Sequence, residues 1–183
     1  MQNTGCGNSP ATAPGSGRPP PADRGAFDIR IARDGTWFYR GSPIARMPLV
    51  KLFASVLRRC NDGSYWLVTP AERGRIAVDD VPFLAVALTV TGTDEMTQLI
   101  FRTNLDDIVT AGPDHPLRVE TAANGEPAPY IRVRDRLEAR LTRSVFYELV
   151  EFGSERKVAG ASEFGVWSGG VFFRLGDPGP DWQ

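Results

Sequence analysis

Apolar and polar residues alternate over several short stretches of the chain, a two-residue period that predicts half-buried β-strands. Phe27, Ile29 and Ile31 alternate with polar neighbours, as in an edge strand or an extended arm. Asp34-Gly35 forms a turn into a strand over 36–40, which Gly41-Ser42-Pro43 breaks. Pro48 suits the first turn of a helix. Leu49, Leu52, Phe53, Val56 and Leu57 give the apolar stripe of a helix over 48–59. Asn61-Asp62-Gly63 ends that helix and opens a hairpin of strands 65–69 and 75–78, with 70–74 between them and a corner at 79–82.

The second half continues with strands at 83–91 and 98–103, joined through Gly92-Thr93-Asp94-Glu95. Short strands at 107–110 and 117–121 flank the loop Ala111-Gly112-Pro113-Asp114-His115-Pro116. A loop over 124–129 precedes a strand at 130–133, a helix over 136–152 and two strands at 164–168 and 170–175. A weak internal repeat relates WFYRGSPIARMPLVKLFASVL (37–57) to PYIRVRDRLEARLTRSVFYELVEF (129–152). It sets Ala45-Arg46-Met47 against Ala139-Arg140-Leu141, and Leu52-Phe53 against Phe146-Tyr147. The expected fold class is α+β: two related halves, each a mostly antiparallel sheet with one packed helix. Expected boundaries are a disordered leader at 1–25, an N-terminal domain at 26–83, a C-terminal domain at 84–176 and a tail at 177–183. The leader is Pro, Gly, Ser, Thr, Asn and Ala with almost nothing apolar to bury.

Composition refines this only slightly. With 42% hydrophobic and 23% charged residues, the chain has material for a core. A net charge of −1 gives no bulk attraction to nucleic acid or an anionic membrane, so neither is an expected partner. The longest strongly apolar run, 81–90, contains a proline and is about half a membrane span. The N-terminus lacks the basic start and apolar core of a signal peptide. Cys6 and Cys60 sit in dissimilar settings and make no disulfide framework, so a cytoplasmic location is expected. The basic residues are nineteen arginines against Lys51 and Lys157. That bias fits a GC-rich genome, and it fits selection for planar forks that grip carboxylate or phosphate.

Strand alternation puts Tyr130, Arg132 and Arg134 on one face, with Ile131 and Val133 on the other. Arg102 and Asn104 share a face opposite Leu99 and Phe101. Were these strands neighbours, Arg102, Asn104, Tyr130 and Arg132 would line one surface suited to an anionic ligand with a ring. A solvated sheet face with ordinary cross-strand pairs is the alternative. Arg136, Arg140 and Arg143 would share one face of the helix over 136–152, either toward a ligand or as a charged outer face. The repeat adds Arg46 as the counterpart of Arg140. Trp37, Tyr65, Trp66 and Trp167 read as core or half-buried sheet residues. His115 is the only histidine, and no G-x-S-x-G elbow accompanies it. A Cys/His zinc set is missing, and so are the phosphate-loop and dinucleotide motifs. Asp79-Asp80 and Asp106-Asp107 would need loop geometry to hold a cation. No catalytic residue, metal or cofactor is expected.

Several segments, in order, resemble a bacterial family, domain of unknown function 1285 (DUF1285). They are Asp34-Gly35-Thr36-Trp37 with Pro43-Ile44, the apolar stretch from Leu49 to Leu57, and Asp62-Gly63-x-Tyr65-x-Leu67-Val68-Thr69-Pro70-x-Glu72. Phe101-Arg102-Thr103-Asn104 and Pro129-Tyr130 through Leu137-x-Ala139 complete the set. The resemblance spans roughly residues 27–175. It implies two related halves, the C-terminal one similar to a pleckstrin-homology-like barrel. It also implies a binding groove between the halves for a nucleotide-like ligand and a role in signal transduction, and it carries no assigned catalytic residues to transfer. The resulting expectation is a ligand-binding or sensor protein holding a small anionic ligand between its halves, with a nucleotide among the candidates. Its expected ligand residues are Arg46, Arg102, Asn104, Tyr130, Arg132 and Arg140. Two alternatives stay open: a protein–protein interaction module without a small ligand, and an enzyme built on Glu72, Asp107 or His115. Protein partners are not indicated.

Overall fold

The structure, a computed structural model, describes residues 20–93, 96–158 and 161–176. The chain divides into two compact units, Met1–Pro82 and Phe83–Gln183. Each six-stranded sheet is confined to one unit.

The N-terminal unit runs β1 (Ala22–Ile31), β2 (Trp37–Tyr39), β3 (Ser42–Pro43), α1 (Met47–Ser55), β4 (Leu57–Arg59), β5 (Tyr65–Val68) and β6 (Glu72–Val78). Its sheet has the order β3-β2-β1-β6-β5-β4, with β1 parallel to β6 and every other pair antiparallel. Contrary to expectation, β1 is a central strand, and it begins inside the stretch expected to be a disordered leader. Its first residues are exposed, so no apolar alternation marks them. They are held by backbone pairing to β6 and by ion pairs, Asp23 with Arg73 at 2.9 Å and Arg24 with Glu72 at 3.0 Å. Residues 1–19 of the expected leader lie outside the described residues.

Arg40 and Gly41 both have positive φ, 50° and 76°, the backbone of a tight two-residue hairpin turn between β2 and β3. Helix α1 stops at Ser55, earlier than its apolar spacing suggests. Val56 therefore leaves the helix, and Leu57 opens β4. The face turned to the core is Val50 and Ala54, while Leu52 of the expected stripe is 60% exposed. Phe53 stacks on buried Trp37 at 6.4 Å. Ile29, Ile31, Leu57, Leu67 and Ile76 complete this core. Cys60 is buried. Cys6, the only other cysteine, lies outside the described residues.

The C-terminal unit runs β7 (Phe83–Thr91), β8 (Gln98–Thr103), β9 (Ile108–Thr110), β10 (Leu117–Thr121), β11 (Pro127–Arg134) and β12 (Leu137–Leu141). Then follow α2 (Arg143–Glu151), β13 (Ser154–Val158), β14 (Ala161–Ser168) and β15 (Val171–Gly176). The six-stranded sheet has the order β10-β11-β12-β7-β8-β9, with β12 parallel to β7. Strands β13-β14-β15 form a separate antiparallel sheet. The expected helix over 136–152 is in fact a strand followed by a shorter helix. Leu137, Ala139 and Leu141 are buried at a period of two, and Asp135, at φ 46°, turns the chain back from β11. Strand β13, SERKV, was not expected because it lacks apolar alternation. Residues 177–183 lie outside the described residues.

Counted from its own first strand, each six-stranded sheet has the same order, 3-2-1-6-5-4. Both are two antiparallel three-stranded meanders joined by a parallel pairing of the first and sixth strands. The helix follows the third strand in one unit and the sixth in the other. The two halves are therefore related, but not in the register of the sequence repeat. Residues 37–57 hold the second and third strands of their sheet, whereas 129–152 hold the fifth and sixth. The segments look alike because each is a hairpin followed by a nine-residue helix.

Candidate functional site

The junction of β12 and α2 brings two arginines and a carboxylate beside a cavity in the C-terminal unit. Burial of Leu137, Ala139 and Leu141 turns Arg140 toward the opposite face of β12, where it is half-buried. Thr142 then occupies the N-cap position between β12 and α2, and its N–H donates to the Ala85 carbonyl on β7 at 3.1 Å. A helix leaves its first N–H groups without intrahelical partners. In α2 the Thr142 side chain makes no capping bond, and no acidic residue lies in the first turn. Arg143 and Tyr147 follow four residues apart, on one side of the helix.

Arg140, Leu141, Arg143 and Tyr147 line a cavity of about 170 Å³. Pro127, Pro129 and Phe146 give it apolar walls, and Tyr147, 60% exposed, stands on its lining. Glu126 enters from the loop before β11 and pairs with Arg143 at 3.0 Å. The charged groups on its lining are two guanidinium groups, Arg140 and Arg143, and one carboxylate, Glu126.

Of the six residues expected from sequence, Arg140 alone lines this cavity. The strands expected to be neighbours, β8 and β11, are separated by β12 and β7. That is three strand spacings, roughly 14 Å, so Arg102 and Asn104 do not share a surface patch with Tyr130 and Arg132. Arg102 pairs with Asp106 at 3.4 Å, both exposed. Asn104 closes the end of the β7–β8 hairpin: its N–H donates to the Leu84 carbonyl at 2.8 Å, and its side-chain oxygen accepts from the Leu84 N–H at 3.0 Å. Tyr130 is buried, with the Arg118 guanidinium 4.3 Å above its ring, so that face is covered. Arg132 is exposed and stands opposite Glu138. Arg46, exposed at the N-cap of α1, belongs to the other unit. Arg136, Arg140 and Arg143 fall on a turn, a strand and a helix, so they share no helical face.

Sequence reasoning overlooked Arg118. Its fork bonds both carboxylate oxygens of Glu138, at 2.7 and 2.8 Å, and its third nitrogen reaches Glu120. The hydrogen bonds that Arg118 donates to Glu138, opposed by partial burial, raise its guanidinium above its ordinary pKa. Alternation in 117–121 places Arg118 opposite buried Leu117, but nothing local reveals that Glu138, two strands away, completes the pair. The residues of the enzyme alternative are also engaged. His115 Nδ1 donates to the Arg132 carbonyl at 3.0 Å, Glu72 pairs with Arg24, and Asp107 pairs with Arg134 at 3.3 Å. Among the described residues, no three His, Cys, Asp or Glu side chains cluster as metal ligands. None of the described helices is long and apolar enough to cross a membrane.

Two family models match consecutive parts of the chain. Residues 18–81 match the N-terminal domain of DUF1285, described as a domain of unknown function. Residues 82–175 match the C-terminal domain, described as a protein of unknown function. Among solved structures, a DUF1285 family protein from Silicibacter pomeroyi DSS-3 is 45% identical, with a TM-score of 0.79. That match covers 86% of this chain and 84% of the other. A DUF1285 family protein from Shewanella baltica OS155 is 24% identical, with a TM-score of 0.54, over 68% of this chain and 91% of the other, and shows likeness of fold alone. No curated protein matches the chain.

Proposed function

The chain belongs to the DUF1285 family, and from that premise we propose that its C-terminal unit binds a small anionic ligand, without turnover, at the start of α2. The observation that carries this reading is the meeting of Arg140 and Arg143, the first residue of α2, in one cavity. A phosphate or carboxylate group fits the cavity. Arginine forks hold such groups through paired, charge-assisted hydrogen bonds. A nucleotide-like molecule would place its phosphate there and its ring against Tyr147. Binding of this kind suits a sensor in signal transduction. In the same reading, the C-terminal sheet followed by α2 is a pleckstrin-homology-like arrangement.

The test is thermal unfolding of the whole protein against inorganic phosphate, nucleoside phosphates and small carboxylates. A ligand at a hundred times its dissociation constant adds about 2.7 kcal/mol, roughly 5–10 °C for a chain of this length. The expected result is a shift with one anion class that Arg140→Gln and Arg143→Gln each reduce. No shift with any of these anions, or a shift that both variants keep in full, would overturn the reading.

A further inference from the structure

The N-terminal unit contains a second cavity, of about 470 Å³, between α1 and its sheet. Ile29 and Tyr39, opposite each other on β1 and β2, line it together with Leu67 of β5. Phe53 and Val56, at the end of α1, line its helix side. Phe53 is fixed from behind by its stacking on Trp37. Phe27 lies flat against Gly74 of β6: a Cβ there would come within 2.5 Å of the ring, so glycine makes room for it. The cavity has the size and the largely apolar lining of a small-molecule site.

The charged groups on this lining are Asp28, Arg40 and Glu72. Glu72 is paired with Arg24. Thr69 is engaged with the Glu72 backbone, donating to its carbonyl at 2.9 Å and accepting its N–H at 3.0 Å. The Arg40 guanidinium rests over the Tyr39 ring at 5.2 Å, which positions one cation beside the opening. Tyr39 itself is 47% exposed, although it lines an apolar cavity.

We propose that this cavity binds a medium-chain amphiphilic carboxylate, its hydrocarbon body between α1 and the sheet and its head group on Arg40. A helix and four strands contribute to this partly open site, and its volume of about 470 Å³ is that of a small molecule rather than of a partner helix or sheet. Apolar lining drives insertion of the chain, and the guanidinium fork selects the carboxylate. This site is separate from the anion cavity of the C-terminal unit and does not rest on it.

The experiment is calorimetric titration of the full chain with decanoate, decanol and decylamine below their aggregation concentrations. Expected are saturable one-to-one binding of decanoate and weaker binding of the other two. Arg40→Gln should cost about tenfold or more in affinity, the scale of one charge-assisted hydrogen bond. Val56→Trp fills the cavity and should abolish binding, with circular dichroism confirming that the variant is folded. Arg140→Gln should leave decanoate binding intact, separating this site from the one proposed above. No saturable decanoate binding, equal affinity for all three head groups, or full binding by folded Val56→Trp would overturn the proposal.

Discussion

The hydroxyl of Ser168 is fully buried and links two sheets. It donates to the Ala111 carbonyl at 2.7 Å and accepts the Leu99 N–H at 2.9 Å. Alanine there would leave a buried amide and a buried carbonyl without that partner. Ser168→Ala should therefore cost about 1–3 kcal/mol, read as a lower denaturant midpoint with an unchanged slope. The Arg118–Glu138 pair is a different case. Glu138 is buried, but the Arg118 side chain is 38% exposed, so water can replace part of the lost interaction. Glu138→Gln should then cost about 1–2 kcal/mol, below the roughly 3–5 kcal/mol typical of a fully buried pair. A double-mutant cycle with Arg118→Gln measures the coupling directly; a cost at the upper figure would mean that the half-exposed guanidinium gains little from solvent.

Elements were legible where local pattern and final environment agree. Strand β8 follows its alternation in register, with Leu99, Phe101 and Thr103 buried, whereas β7 alternates from Phe83 to Ala85 and is then shifted by a bulge between Ala85 and Ala87. Residues 137–141 satisfy two templates at once: Leu137 and Leu141 stand four apart, as on a helix, and Leu137, Ala139 and Leu141 alternate, as on a strand. Pairing decides between them, since Ala139 sits between Ile131 and Phe83 on neighbouring strands. That pairing includes a parallel contact across more than fifty residues of chain, which no local window contains. Arg140 was legible as a site residue for its charge, but its neighbour Glu126 and the burial of Tyr130 beneath Arg118 depend on sheet order. Helix α1 shows the same limit and offers a direct test. The sequence stripe would make Leu52 a core residue, whereas the structure exposes it and buries Val50. Leu52→Ser should change stability by no more than about 0.5 kcal/mol, and Val50→Ala should cost about 1–3 kcal/mol. Urea midpoints of the two variants in the reverse order would restore the sequence stripe.

At the scale of the whole molecule, the same sheet order appears in both units, and in each it hangs on one parallel seam between two meanders. In the N-terminal unit that seam carries ion pairs at both ends: Asp23–Arg73 and Arg24–Glu72 at one, Arg30–Asp79 at the other. The Asp79 carboxyl is held below the usual aspartate range, chiefly by its hydrogen bonds from Arg30. Asp23 is lowered first by the Gly25 N–H and then, against some burial, by Arg73. Asp34 and Asp62 are lowered by hydrogen bonds from Thr36 and Ser64. A carboxyl whose folded pKa is depressed binds its proton more readily in the unfolded chain. The stability it contributes is present above its unfolded value, near about pH 4, and is lost as pH falls through the folded value. All four aspartates lie in the N-terminal unit. Its seam should therefore loosen on acidification from about pH 5 to about pH 2, an effect that salt weakens because the pairs are exposed. Hydrogen exchange corrected for intrinsic rates should show β1 and β6 losing protection over that range. Asp79→Asn should have a lower starting stability and a shallower acid decline, because the titrating group is gone. An equally steep decline in that variant would place the acid sensitivity away from the seam.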